Sequence, residues 1–154
     1  APGMSINLKW SQFLNESELK TVGIVVCLNK KQQFLIIRRS DIDDRAGQWT
    51  MPGGHIDEED DSIESGAIRE LEEEANLTCK LSDLQYLGQK GDNKHYFFTE
   101  KWSGEVSVNK PNPKTNEIEH DAFKWATIEQ IKEIDNTKIP IYLLKKALEM
   151  SKND

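Results

Sequence analysis

The sequence predicts an α/β layered domain, and three observations predict it. Runs rich in Val and Ile at residues 21–28 and 33–39 have the length and composition of buried strands. Residues 62–75 carry apolar side chains at helical spacing between a capping residue and a left-handed stop. Strand-like and helix-like segments then interleave to a closing helix at residues 139–151, the pattern of layered α/β architecture. A chain of 154 residues is long enough to bury a core of its own, and residues 4–154 read as one domain.

Taken in order, Ala1-Pro2-Gly3 ahead of Met4 reads as an expression leftover and is set aside. Residues 4–20 mix Trp10, Phe13 and Leu14 with polar groups and fit a short helix or an edge strand. Residues 21–28 form a strand and Asn29-Lys30-Lys31 a turn. Residues 33–39 form a second strand, so the pair is expected as a hairpin. Residues 40–48 are a polar loop containing Arg45. Residues 49–51 are a short strand stopped by Pro52-Gly53-Gly54. Asp61 or Ser62 can cap a helix that runs to about Ala75, with Asn76 at its left-handed end. Ala67, Ile68, Leu71 and Ala75 make its apolar stripe. Gly66 interrupts this helix at a cost of about 1 kcal/mol relative to alanine. Either close approach of another group or tolerated local weakness would account for it. Strands are expected at residues 84–87, 94–99, 105–108 and 122–125. Gly91-Asp92 and Ser103-Gly104 are turn signals, and residues 109–116, with Pro111 and Pro113, are a loop. A short helix at 128–134 precedes the closing one, which carries Ile141, Leu144 and Leu148 in helical register.

Composition excludes several classes of function. A net charge of −7 argues against broad binding to nucleic acid or anionic membrane. The longest apolar run, residues 24–28, cannot span a bilayer, and the N-terminus lacks a signal-peptide pattern. Cys27 sits in an apolar run as a small core residue. With Cys79 far away and no CxxC spacing, there is neither a disulfide framework nor a zinc site. These features point to a cytoplasmic protein.

The chemistry concentrates in Arg69-Glu70-Leu71-Glu72-Glu73-Glu74. Glu70, Glu73 and Glu74 stand at i, i+3 and i+4, and on a helix they share one face beside the apolar stripe. Each like-charged pair costs roughly 0.2–0.5 kcal/mol. A hard divalent cation with oxygen ligands turns that repulsion into attraction. A run of glutamates alone is an ordinary solvated face; the surrounding residues are what make it a candidate metal site.

Those surroundings resemble the Nudix hydrolase family, whose pattern is G-x5-E-x7-R-E-U-x-E-E-x-G-U, with U aliphatic. Arg69 to Leu77 matches the second half, with Asn76 in place of Gly. Asp61 stands where the family has Glu, and Gly54 lies one residue further upstream than the strict spacing. The lead-in 48–55, the preceding strand with Arg38 and Arg39, and the late segment 119–125 are also similar to the family. The resemblance covers about residues 21–134.

The resemblance implies an α/β/α sandwich with a mixed β-sheet between helices. It also implies Mg²⁺-dependent hydrolysis of the pyrophosphate bond in a nucleoside diphosphate linked to another group, such as ADP-ribose, FAD or a diadenosine polyphosphate. The alternatives are a nucleoside triphosphate pyrophosphohydrolase and a non-catalytic nucleotide-sensing module. Glu70, Glu73, Glu74 and the Gly54 carbonyl would hold Mg²⁺, with Mn²⁺ as a substitute. Glu73, Glu74 or a late-loop acid would be the base; Glu119 is that acid, ahead of Glu117 and His120. Arg69 would pair with Asp61 or an adjacent carboxylate as structural support. Arg38 and Arg39 alternate faces, so one would contact phosphate, Arg39 first, with Arg45 behind. Tyr96 lies near the position where members that cut dinucleoside polyphosphates carry a tyrosine. The ADP-ribose subgroup carries a proline there, and the first proline after the motif is Pro111. The expected partner is a small-molecule nucleotide, with no membrane or nucleic acid, bound by a monomer or homodimer.

Overall fold

The computed structural model describes residues 20–42 and 44–152; the helix or strand expected before residue 20 lies outside them. In chain order the strands are β1 (Val22–Cys27), β2 (Phe34–Arg39), β3 (Trp49–Thr50), β4 (Gly53–His55), β5 (Thr78–Cys79), β6 (Gln85–Lys90), β7 (Lys94–Thr99), β8 (Trp102–Ser103) and β9 (His120–Ala126). The helices are α1 (Ile63–Ala75), α2 (Ile128–Lys132) and α3 (Ile141–Lys152).

A mixed four-stranded sheet runs β4-β1-β7-β6, with β1 and β7 parallel and the other pairs antiparallel. A second, antiparallel sheet runs β3-β2-β9, and β5 pairs with β8 as a small ribbon. Strand alternation sorts β1 between two cores. Ile24 and Val26 pack with Tyr96, Phe98, Leu143 and Leu144 on one face. Val25 and Cys27 pack with Ala67, Leu71, Ala75 and Phe97 on the other. Helices thus cover both sides, which is the layered arrangement the sequence predicts. Cys27 is a buried, unbridged core residue. Leu71 is fully buried, which at roughly 1.5–3 kcal/mol for such a side chain holds α1 against β1.

The α1 boundaries follow local chemistry. The Ser62 hydroxyl accepts from the Ser65 N–H, so Ser62 rather than Asp61 is the cap. Asn76 adopts φ 63°, the left-handed stop. Gly66 is explained by close approach. A Cβ there would stand 2.6 Å from Ile56 Cδ1 and 2.7 Å from Asp60 Oδ2.

Three expectations are corrected. The first two strands do not form a hairpin. The chain reverses through one bridge, Leu28 to Phe34, and then β1 and β2 enter different sheets. Both strands are largely buried, and each finds its pairing partners elsewhere in the sequence. The short strand expected at 49–51 does stop, at Thr50 ahead of Pro52, but the glycines that follow are not a plain turn, because Gly53–His55 itself pairs with β1. Residues 105–108 are not a strand; the strand lies earlier, at Trp102–Ser103. The Ser107 N–H instead donates to the Ala75 carbonyl at 3.0 Å, and Asn76 Nδ2 donates to the Glu105 carbonyl at 3.0 Å. That segment serves polar groups at the C-terminal end of α1.

Candidate active site

The β4 edge, the acidic side of α1 and the loop before β9 enclose a cavity of about 490 Å³. Glu70, Glu73, Glu74, Gly54, Arg69, Arg39, Arg45, Tyr96 and Glu119 all line it. So do residues that sequence reasoning did not single out, among them Asp57, Asn112, Lys114, Lys94 and Lys138.

Two groups hold the acidic trio, the Gly53 N–H and Arg69. Glu74 Oε1 accepts from the Gly53 N–H at 2.9 Å. Arg69 Nη1 donates to Glu70 Oε1 at 2.9 Å and to Glu73 Oε2 at 3.1 Å. Burial pushes the Glu70 carboxyl up to about 7, against the pull of Arg69 and with a further push from Glu73. Burial likewise raises Glu74 well above the usual carboxylate range, opposed by the Gly53 N–H and reinforced by Glu70 and Glu119. Gly54 has to be glycine for a steric reason. A Cβ there would lie 2.6 Å from Glu70 Cδ and overlap one of its carboxylate oxygens.

Arg69 is the hub of the supporting network, but its main partner is Asp60, not Asp61. Nε and Nη2 reach the two Asp60 oxygens at 2.9 and 3.0 Å, a bidentate pair. Nη2 also donates to the His55 carbonyl at 3.1 Å. The Asp60 side chain is only 8% exposed, and its hydrogen bond from Arg69 lowers its pKa. Asp61 is exposed. The reason is geometric: Gly66 leaves room for Asp60 against the helix, while Asp61 is carried outward beside the cap. Counting from Gly54, Asp60 falls at G-x5, so the extra residue lies between Asp60 and Arg69. That spacing was the available signal.

Arg38 is the second correction. Its Nε pairs with Asp121 at 2.8 Å and its guanidinium lies 5.7 Å from the Trp49 ring centroid, outside the cavity that Arg39 enters. A shift in the β2–β9 register between the two arginines accompanies the change of face.

Glu119 is held at both ends. The Ser40 N–H donates to its carbonyl at 2.8 Å, and Asn112 Nδ2 donates to its Oε1 at 3.0 Å. Asn112 Oδ1 meanwhile accepts from the Lys114 and Thr115 N–H groups, which shapes the loop tip. Lys114 reaches Asp57 at 2.9 Å, latching the loop to the β4–α1 connection. His120 is buried, and desolvation followed by the positive charge of Arg39 lowers its pKa to about 4, so it is neutral at neutral pH.

The donor set of the trio is all oxygen, and two of its carboxylates are desolvated beyond what their partners offset. That chemistry fits a hard divalent cation. Among the described residues no three His, Cys, Asp or Glu side chains already converge on one point. Arg69 and the Gly53 N–H hold the carboxylates where a cation would compete for them. No helix among the described residues is long and apolar enough to cross a membrane.

Comparison with known proteins identifies the family and the fold. A NUDIX domain model matches residues 18–146. A Bartonella tribocorum RNA pyrophosphohydrolase is 29% identical over 144 residues, covering 75% of this chain and 79% of the relative. A Bacillus subtilis protein named for 8-oxo-dGTP diphosphatase activity is 34% identical over 79 residues, 49% of this chain; the match spans 50% of that relative. The NUDIX domain of Shewanella oneidensis NrtR, solved with ADP ribose, shares the fold with a TM-score of 0.66 at 19% identity, covering 86% of this chain and 88% of that one.

Proposed function

The chain belongs to the Nudix family of pyrophosphohydrolases, and on that premise we propose that its cavity hydrolyses the phosphoanhydride of a nucleoside diphosphate linked to a second group. One observation carries this reading: a single cavity holds Glu70, Glu73 and Glu74 together with Arg39, Arg45 and Lys114. Acids alone would suit a cation and bases alone an anion. Both in one cavity suit a phosphate chain bridged to the protein by a metal.

Glu70, Glu73, Glu74 and the Gly54 carbonyl would hold Mg²⁺, with Mn²⁺ able to replace it. When bound, the cation would neutralise phosphate charge and lower the pKa of the attacking water. With the trio committed to the cation and Asp57 paired with Arg69 and Lys114, Glu119 would accept the water proton. It hangs from a different element and is aimed by Asn112. Arg39 and Arg45 would bind phosphate oxygens. Arg69 keeps the trio and the Asp60 loop in place and touches no reacting atom. Tyr96, buried in the cavity floor, shapes the wall against the substrate.

The substrates to test first are ADP-ribose, FAD and diadenosine polyphosphates. The two relatives favour a second reading, in which the phosphate chain is that of a nucleoside triphosphate or an RNA 5′ end. Product analysis with Mg²⁺ and Mn²⁺ separates them. ADP-ribose yields AMP and ribose phosphate, whereas a triphosphate cut at its inner anhydride yields inorganic pyrophosphate. No product from any of these nucleotides would overturn the proposal.

A further inference from the structure

The far end of the same cavity carries a feature that hydrolysis of a single anhydride does not use. The Glu74 carboxylate marks one end, at Gly53. Across the sheet, Gly53 pairs with Ile24 and Ile24 with Tyr96; one row on, His55 pairs with Val22 and Val22 with Lys94. These residues share one sheet face. Two strand steps across and two residues along place Lys94 roughly 12 Å from Gly53. Lys90 is the register partner of Lys94, and its Nζ donates to the Lys138 carbonyl. Lys94 and Lys138 line the cavity, as do Val22, Ile24, Tyr96 and Ile139.

Three lysines are therefore gathered at one rim of a protein whose net charge is −7. Like charges placed opposite each other on a sheet are destabilising. Burial, then Lys94 and Lys138, lower the Lys90 pKa, which fits this crowding. Among the described residues none of the three ammonium groups pairs with a carboxylate, although Asp92 lies in the connecting turn. The cluster is a standing cationic field at the mouth of an acidic cavity.

We infer that Lys94 and Lys138, with Lys90 holding the Lys138 backbone, form a second anion subsite. It binds phosphate groups of a nucleotide substrate that continue past the cleaved bond. The subsite selects substrates by the length of their phosphate chain. This deepens the proposed function and rests on its placement of the scissile bond at the trio.

The test begins with binding, apart from turnover. Inorganic tripolyphosphate is titrated calorimetrically into the metal-free protein at low salt. The double variant Lys94→Gln, Lys138→Gln should bind about tenfold more weakly, since both removed charges face the anion. Glu74→Gln should bind no more weakly than the unaltered protein. Unchanged affinity in the lysine variant, or no measurable binding by the unaltered protein, overturns the inference. Thermal melts that coincide with the unaltered protein establish that the lysine variant is folded.

Turnover of diadenosine tetraphosphate and of a 5′-triphosphorylated oligoribonucleotide is then compared with that of ADP-ribose. A rise in KM for either long substrate that exceeds any rise for ADP-ribose supports the subsite, and identifies which source of phosphate it serves. Equal changes for all three overturn it. If tripolyphosphate binding depends on the lysines but no nucleotide is cleaved, the subsite stands and the proposed hydrolysis fails.

Discussion

Two regions deliver carboxylates to one cavity by different means. On α1, helix periodicity places Glu70, Glu73 and Glu74, and Arg69 and the Gly53 N–H restrain them. On the loop before β9, no periodicity operates. Glu119 is placed by a main-chain bond to Ser40 and a side-chain bond from Asn112, under an exposed Lys114–Asp57 latch. The first arrangement is stiff and desolvated, which suits holding a fixed charge. The second depends on a few polar contacts, which suits a group that must exchange a proton and let substrate pass.

The largest expected effect breaks the helical side. Glu74→Gln should lower kcat on the order of 10²-fold or more, while circular dichroism and melting show an intact fold. Because it removes a desolvated charge, the metal-free variant should melt no lower than the unaltered protein. Full activity in this variant would refute the metal role.

Next, Asp60→Asn should cost about 2 kcal/mol by loosening a bidentate pair that is mostly shielded from water, read in a urea titration. Asp61→Asn should stay within about 0.5 kcal/mol. The reverse order would restore Asp61 as the partner of Arg69.

On the loop side, Asn112→Asp keeps the oxygen that shapes the loop tip. It replaces the donor to Glu119 with a second negative charge. Steady-state kinetics should show kcat down about tenfold with KM little changed. Equal kinetics would reduce Asn112 to a turn residue.

The smallest effect concerns pH. Glu70 is raised to about 7 in the fold from an ordinary 4.5. Its contribution to metal-free stability is therefore complete below 4.5 and is lost as pH rises through 7. His120 acts oppositely: its pKa falls from 6.5 to about 4, so its contribution is present above 6.5 and lost as pH falls toward 4. Melting with and without Mg²⁺ at each pH cancels the His120 effect. The Mg²⁺-induced rise in melting temperature should be greater at pH 8 than at pH 5.5, because protons and the cation compete for the same oxygens. A pH-independent rise would place the cation elsewhere.

The candidate site was legible where its signal was local. The trio, Gly54 and the left-handed Asn76 follow from spacing along one helix and its flanks; the trio and Gly54 line one cavity, and Asn76 ends α1. Asp60 was misread by one residue, because two adjacent aspartates look alike until the gap at Gly66 shows which one fits. Arg38 and Arg39 were known to face opposite ways. Which one entered the cavity depended on the register with β9, more than 80 residues away. Asn112, Lys114 and the lysine rim carried no motif at all.

The amino-acid order alone determined α1: its cap, its apolar stripe against β1 and its acidic edge. A helix repeats every 3.6 residues, and every partner needed lies within a turn or two. Only the tertiary structure decided that β1 and β2 part company after one bridge, that Asp60 serves Arg69, and that a loop acid together with Lys94 and Lys138 lines the cavity. Those outcomes come from pairings between distant segments, where packing and burial of both strand faces select among partners that local sequence leaves equivalent.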